Sequence, residues 1–474
     1  MLEIDGSALS STRVRTDFLK VLVFFGLMAF VLAVSVFNPY LGATALGLLL
    51  AGLVLGVNLR WAVLSLIFLL PFDPQFELKP GFYLYFDLLF ILPSLAYLWK
   101  VVFGKLPIKW VSLALVPYLL FAVATTFWRA ENPYWFSAYS ARLTIAVLFA
   151  AVIAAICRAE TISLVLGATL IPQVIYAMYQ FLAGEVGPLY SLIYPHYEGL
   201  WIDRAYGFFF QPNNFGSYCA TVSIMLLALG LRSKARGLRI LCYSLAAFGF
   251  VGVASSGSRG AWLGAFAGVA LLFAFSRASF RVKVALAAVI AVSILIAKSL
   301  EYAPLMRAES LDALTVEGRS SLYLAGVLLF LQHPFIGVGL TNYQELMPSV
   351  VVWEYGAGNA AHNTYLQILS ENGAIGFLLF FGPVFYFFYR NVKISKESTA
   401  ALLSSAGLTV FFVHGLFDFQ FTTAPQSLLL FAVLFGLASK CVIAPGTFQD
   451  AQRIELAQSG NDANGQNRSL KRQE

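Results

Sequence analysis

The apolar positions along the chain gather into long runs separated by short polar breaks. A hydrocarbon layer about 30 Å thick takes roughly 20 apolar residues of helix to cross, with about 17–25 the usual range. Runs of that kind lie near residues 18–37, 41–57, 60–72, 82–99, 111–128, 140–157 and 161–183. The second half adds 211–230, 238–255, 260–276, 283–299, 373–390, 399–416 and 425–443. The pattern predicts an all-α polytopic membrane protein with about 12–14 transmembrane helices. The run 60–72 is the weakest: it is short and ends at Pro71, which suits a tilted or re-entrant segment or a span longer than these bounds. The run 18–37 is long enough to remain as a signal anchor, so no cleavable leader is expected.

Composition agrees with the pattern. Of the residues, 59% are hydrophobic and 12% charged, with mean hydropathy +0.77. A soluble domain carries about 45–50% apolar and about 25% charged residues. This chain has too little polar surface to cover a soluble globule, and fibrous, disordered and disulfide-scaffold classes are excluded with it. Cys157, Cys219, Cys242 and Cys441 fall in or at the ends of apolar runs. That placement argues against a disulfide framework and against a thiolate metal site.

The net charge of +7 would suit a nucleic-acid partner until the basic residues are located. With the N-terminus inside and the runs alternating, 23 of the 31 Lys and Arg residues fall on the cytoplasmic side. Basic residues near span ends are retained there, so the positive charge reports topology and no nucleic-acid partner is expected. The organisation that follows has a cytoplasmic N-terminus (1–17), N-terminal transmembrane helices (18–183), a core (184–445) and a polar, disordered cytoplasmic tail (446–474). Two long segments, about 184–210 and 300–372, face the periplasm. Connections of that length are usually functional, so the chemistry is expected on that face.

The first outer segment ends in Asp203-Arg204-Ala205-Tyr206-Gly207-Phe208-Phe209-Phe210-Gln211-Pro212-Asn213-Asn214, leading into an apolar helix. Interfacial anchoring by aromatic and basic residues is an equal reading of Arg204 taken alone. Ser255-Ser256-Gly257-Ser258-Arg259-Gly260-Ala261-Trp262 occupies a tight outer turn. Backbone N–H groups at a helix start beside an arginine are the components of a phosphate site, although close helix packing explains the glycines as well. The second outer segment carries Glu317-Gly318-Arg319, then an apolar stretch from Leu322 to Leu331 that suits a short interfacial helix. His333-Pro334-Phe335-Ile336-Gly337-Val338-Gly339 follows, and later Ala361-His362-Asn363-Thr364-Tyr365 and Glu371-Asn372-Gly373.

His196 and His333 read as structural histidines. His362 stands out because Arg204, Arg259 and Arg319 share its side of the membrane. Three arginines suit a pyrophosphate leaving group, and a histidine can accept a hydroxyl proton near neutral pH. Asp87, Arg142, Lys298 and the pair His414 and Asp418 lie within apolar runs near the outer ends. Four-residue spacing puts His414 and Asp418 on one helix face. Inter-helix pairing, such as Asp87 with Arg142, explains these groups equally well, and they are placed outside the reacting centre. Asp-x-Asp, metal-ligand clusters and Walker-type glycine loops are absent from the sequence, so neither a metal nor a cofactor is expected.

In the order and spacing of these motifs the chain resembles the O-antigen ligase/polymerase family of bacterial inner-membrane proteins. The features are Arg204-x-x-Gly207 with Pro212-Asn213, Ser-Gly-Ser-Arg259-Gly, Gly318-Arg319, Pro334-x-x-Gly337-x-Gly339, His362-Asn363 and Glu371-x-Gly373, spread over roughly 200–390. The resemblance implies a metal-independent, inverting glycosyltransferase that takes a glycan from undecaprenyl pyrophosphate at the periplasmic face. The acceptor would be lipid A–core for a ligase, which ranks first, or a growing lipid-linked glycan for a polymerase. Carried over by position, Arg204, Arg259 and Arg319 would bind or stabilise the pyrophosphate, and His362 would activate the acceptor hydroxyl, with Arg319 and His362 the catalytic pair. Glu317 and Glu371 stay open as alternative bases or as orienters of Arg319 and His362. Two further readings differ in class, an anion transporter and an assembly scaffold, and both rank below the enzyme.

Overall fold

The computed structural model describes residues 59–72, 75–79, 82–85, 89–103, 106, 110–193, 204–275, 312–352, 360–419, 421 and 425–441. The runs 18–37, 41–57 and 283–299, the tail 446–474, and Asp87, His196 and Lys298 lie outside them. The described elements are helical apart from one short hairpin. They are α1 (Leu59–Leu69, continued by a 3-10 turn at Leu70–Phe72), β1 (Gln75–Lys79), β2 (Phe82–Tyr85), α2 (Ile91–Val102), α3 (Val116–Thr126), α4 (Pro133–Ile156), α5 (Ala159–Ala183) and α6 (Pro188–Ile193). Then come α7 (Pro212–Arg232), α8 (Arg236–Ser256), α9 (Arg259–Phe275), α10 (Asp312–Gln332), α11 (Asn342–Val350), α12 (Thr364–Ile394), α13 (Thr399–His414) and α14 (Pro425–Lys440). Among the described residues five helices are long and apolar enough to cross a membrane: α4, α5, α7, α8 and α12. This is an all-α polytopic membrane protein.

Local chemistry sets the ends. Asn132 caps α4 by accepting from the Trp135 N–H, with Pro133 in the first turn. Gly184 and Gly257 close α5 and α8 in the left-handed conformation. The apolar run 82–99 does not form one span. Its start pairs antiparallel as β2 with β1, Gln75 opposite Tyr85 and Phe76 opposite Leu84. The alternation of large aromatic and apolar residues in Phe82-Tyr83-Leu84-Tyr85, just after Pro80-Gly81, favours a strand over a helix. The span expected at 373–390 is the second part of α12. The helix already starts at Thr364 and is interrupted at Gly373, whose φ of 65° and ψ of −173° are non-helical.

α7 is the axis of the bundle. Every residue from Asn214 to Gly230 is buried, and α5, α8, α9 and α13 surround it. Small residues let these helices approach closely, as helix contacts in lipid require. A β-carbon on Gly249 would lie 2.2 Å from Ser223 Oγ, and one on Gly252 would lie 2.7 Å from Cys219 Sγ. Along α9, Gly260 and Gly264 face the end of α13, with the backbone of Val410 3.0 Å from a β-carbon at Gly264, and Gly268 meets Ile224 of α7. Phe380, Phe411, Phe421 and Phe431 fill the space between α12, α13 and α14 with ring centroids 5.0–5.6 Å apart. The starts of α7, α9 and α12 and the ends of α8 and α13 therefore meet at one end of the bundle.

Candidate active site

At that end the loop 204–211 is seated by side-chain amides of α5. Gln180 Oε1 accepts from the N–H groups of Tyr206 and Gly207, and Gln173 Oε1 accepts from Phe208 N–H at 3.0 Å. Gly207 has φ of 55°, and a β-carbon there would fall 2.5 Å from Gln173 Oε1. This explains the glycine three residues after Arg204. The arginine itself donates from Nε to the Ser256 carbonyl at 2.8 Å and from its terminal nitrogen to Asn213 Oδ1. One residue on, Ala205 N–H donates to the Ser255 carbonyl. Arg204 is thus a fixed cation lying across the end of α8.

Arg259 opens α9 at the same place. Ser258 Oγ accepts from the Ala261 N–H and so caps the helix, while its own N–H donates to Ser256 Oγ. The serines of this turn thus build its backbone, and the Arg259 side chain projects outward, exposed. Arg319 lies half-buried on α10. Burial holds the Arg204 guanidinium below its ordinary pKa. The charges of Tyr206 and Asp418 oppose that, and the positive charges of Arg319 and Arg259 add to it. Arg319, Arg259 and Asp418 therefore all lie within electrostatic reach of Arg204.

His362 sits in the link before α12 with φ of 46°, a left-handed conformation unusual for a residue with a side chain. Its neighbours are pinned on both sides. Ala361 N–H donates to Gln367 Oε1 at 2.7 Å, Asn363 Oδ1 caps α12 by accepting from Tyr365 and Leu366, and Thr364 N–H donates to the Gly415 carbonyl at 2.8 Å. The imidazole Nδ1 is 2.9 Å from Asp418 Oδ1. The histidine side chain is 26% exposed and the aspartate 3%, so the pair has a buried anchor and an open face.

The sequence reading placed Asp418 with His414, outside the reacting centre. The structure differs because α13 ends at His414, and the following turn carries Asp418 round to His362. Asp418 N–H still donates to the His414 carbonyl at 3.1 Å. Burial alone pushes the Asp418 carboxyl up. The hydrogen bond and charge of His362, the charge of His414 and the Phe419 N–H pull it down further, and the net direction is below the ordinary carboxylate value. An ionised carboxylate only accepts, so the hydrogen lies on Nδ1 and the lone pair on Nε2. The turn at Gly415–Phe417 is the only sequence signal that α13 stops before Asp418, and periodicity does not see it.

Other motifs between α10 and α12 have a different role. Val338 N–H and Gly339 N–H donate to the carbonyls of Ser370 and Glu371 at 2.9 and 2.8 Å. Ala374 N–H and Ile375 N–H donate to those of Pro334 and Phe335 at 2.8 and 3.1 Å. The two glycine motifs are clasped backbone to backbone across the break in α12. Glu371 is buried here, accepting from Gln367 Nε2 at 2.8 Å and from the N–H groups of Thr341 and Tyr343. The carboxylate that orients His362 is Asp418, while Glu371 serves the start of α11. Arg129 Nη1 donates to the Gly337 carbonyl, and Asn342 Nδ2 to the Arg129 carbonyl, tying the end of α3 to the same clasp. His333 lies at its edge. Among the described residues no group of three or more His, Cys, Asp and Glu side chains is placed to hold a metal ion.

Comparison with known families matches residues 244–381 to the model described as O-antigen ligase. The stretch runs from α8 into α12 and includes Arg259, Arg319, His362 and the clasp. Arg204 and Asp418 lie outside it, so the resemblance shown is narrower than the motifs at 200–390 suggested. The molecule is a membrane protein that contains an O-antigen-ligase-type region. No curated protein matches the chain.

Proposed function

We propose that the protein is an integral-membrane glycosyltransferase that moves a glycan from undecaprenyl pyrophosphate to an acceptor hydroxyl at the periplasmic face of a bacterial inner membrane. The observation that carries this reading is the His362–Asp418 pair opening beside Arg204 and Arg319. His362 Nε2 takes the proton of the acceptor hydroxyl as its oxygen attacks the anomeric carbon. The bond from that carbon to the pyrophosphate oxygen breaks, and Arg204, Arg259 and Arg319 receive the developing negative charge. The oxygen enters opposite the leaving group, so the configuration inverts. The imidazolium formed is stabilised by ionised Asp418 and returns its proton to water or to the released pyrophosphate. In this reading the arginines take the part a metal ion would otherwise play, and the reaction needs none.

An O-antigen ligase with lipid A–core as acceptor is the first reading, and a polymerase extending a lipid-linked glycan is the second. Reconstitution with labelled polyprenyl-pyrophosphate glycan, with and without lipid A–core, tests both. Product that requires lipid A–core supports the ligase, and longer lipid-linked chains formed without it support the polymerase. If His362→Ala and Arg319→Ala retain full transfer while folded, the mechanism is wrong. Well-folded protein that consumes none of several donors would turn attention to anion flux instead.

A further inference from the structure

Tyr323 lies on α10 four residues after Arg319, which puts both side chains on one helix face. Its hydroxyl reaches away from α10 to two carbonyl oxygens at the heart of the site, His362 O at 3.5 Å and Leu416 O at 3.4 Å. Leu416 O also accepts from Asn363 Nδ2 at 3.3 Å. The same hydroxyl is within electrostatic reach of Arg319 and Asp418. Burial raises its pKa above the ordinary value, Arg319 lowers it and Asp418 raises it. The other ties on this link come from elsewhere: Ala361 and Asn363 are held within the start of α12, and Thr364 is held by the turn after α13. None of those bonds involves α10.

We propose that Tyr323 is a positioning residue for His362, and that its hydroxyl ties the helix carrying Arg319 to the strained link carrying the base. The inference rests on the glycosyl-transfer reading of this site and deepens it. Two parts of the reaction have to be in register. Arg319 meets the leaving pyrophosphate and His362 meets the incoming hydroxyl, on opposite sides of one carbon. They belong to segments 43 positions apart in sequence, so their separation depends on what joins α10 to the link. A hydroxyl with one hydrogen and two carbonyls in reach can hold either the His362 side or the Leu416 side of the junction. Both choices tie α10 to it. The left-handed conformation of His362 makes that support consequential, because a non-glycine residue persists there only when its surroundings hold it. Misplacement by about 1 Å is enough to cost on the order of 100-fold in rate.

Tyr323→Phe keeps the ring and removes only the hydroxyl. We expect kcat to fall about 10- to 50-fold, with KM for donor and acceptor within about twofold, because orientation is lost and binding groups are not. Amide hydrogen exchange read on the same protein in detergent or nanodiscs gives a second measure that does not depend on turnover. Exchange across 361–366 should quicken in Tyr323→Phe while exchange in α7 stays as in the wild type. Unchanged exchange across 361–366 overturns the proposal whatever the activity. A raised KM with unchanged kcat also overturns it, since the hydroxyl would then be a substrate contact. Quickened exchange with no transfer by wild-type protein from any donor would leave the tie standing and remove the glycosyl-transfer reading beneath it.

Discussion

The site around His362 and the clasp around Gly337 and Gly373 are built from motifs that look alike in sequence: a few polar residues and glycines next to an apolar run. They use their residues in opposite ways. At the site, backbone groups are occupied and the functional side chains keep accessible surface: Arg259 is exposed, Arg319 is half-buried and His362 presents an open ring edge. At the clasp, the two glycines carry no side chain, Val338 and Glu371 are buried, and four backbone N–H groups reach across to four carbonyls. The arginines are there for charge, and the glycines are there because no β-carbon fits. Gly337 and Gly373 therefore mark a place where two backbones touch, whereas Arg259, Arg319 and His362 keep side-chain surface open.

The clasp gives the largest expected effect. A β-carbon on Gly337 would stand 2.2 Å from the Glu371 carbonyl carbon, and one on Gly373 would stand 2.3 Å from that of Phe335. Both glycines have positive φ, so a side chain adds strain to the clash. Gly337→Ala and Gly373→Ala should each cost at least about 4 kcal/mol, enough to abolish recovery of folded protein. Gly382→Ala is the control: nothing lies within 4 Å of a β-carbon there. Size-exclusion profiles and denaturation midpoints in detergent decide the matter. Normal profiles for the two clasp variants would remove the distinction between the regions.

His362→Ala should do the reverse. Its ring is partly open and makes one side-chain bond, so the fold should survive while transfer falls about 10²- to 10⁴-fold, as loss of a general base does. The check is initial rate against lipid-linked donor, beside a midpoint lowered only by the loss of one partner of the buried Asp418 carboxylate, about 1–3 kcal/mol.

The two regions were not equally legible from sequence. The spans were visible because lipid demands long apolar helices, and the boundaries at α7, α8, α9 and α13 follow the apolar runs closely. The three arginines and His362 stood out because charged groups near the membrane are costly and few. Two things were hidden. Asp418 pairs with a residue 56 positions away, and helical spacing pointed it towards His414 because nothing periodic announces that α13 ends there. Glu371 stayed open in the sequence as an alternative base or as an orienter of Arg319 and His362. Its partners are N–H groups of Thr341 and Tyr343 from another segment, and only the folded chain brings them near.

Asp418→Asn tests the hidden partner and should have the next largest effect. An amide in place of the carboxylate no longer dictates the hydrogen on Nδ1 and no longer stabilises the imidazolium, so kcat should fall about 10²-fold. Stability carries a second signature. The Asp418 carboxyl is held below its ordinary value in the folded protein. Its contribution is therefore complete above the ordinary carboxylate range and is lost as pH falls through the lower folded value. Acid should destabilise wild-type protein more than Asp418→Asn, so that their midpoints converge as pH is lowered. Parallel curves would mean that Asp418 is not ionised against His362.

Glu371→Gln is the smallest and the most discriminating change. The variant keeps an oxygen that can accept from the N–H groups at the start of α11, but its amide group cannot accept from Gln367 Nε2 as the carboxylate does. One buried hydrogen bond to a charged group is weakened, a cost of about 1–3 kcal/mol. If Glu371 belongs to the clasp, kcat should stay within about threefold of wild type at temperatures where the variant is folded, because a general base lost outright costs about 10² or more. The same substitution therefore separates two roles for one carboxylate. A lower midpoint with near-normal turnover places Glu371 with the glycines, holding α11 against the break in α12. A normal midpoint with turnover reduced 100-fold would place it with His362, and the division between the two regions would have to be redrawn with the proton leaving towards Glu371.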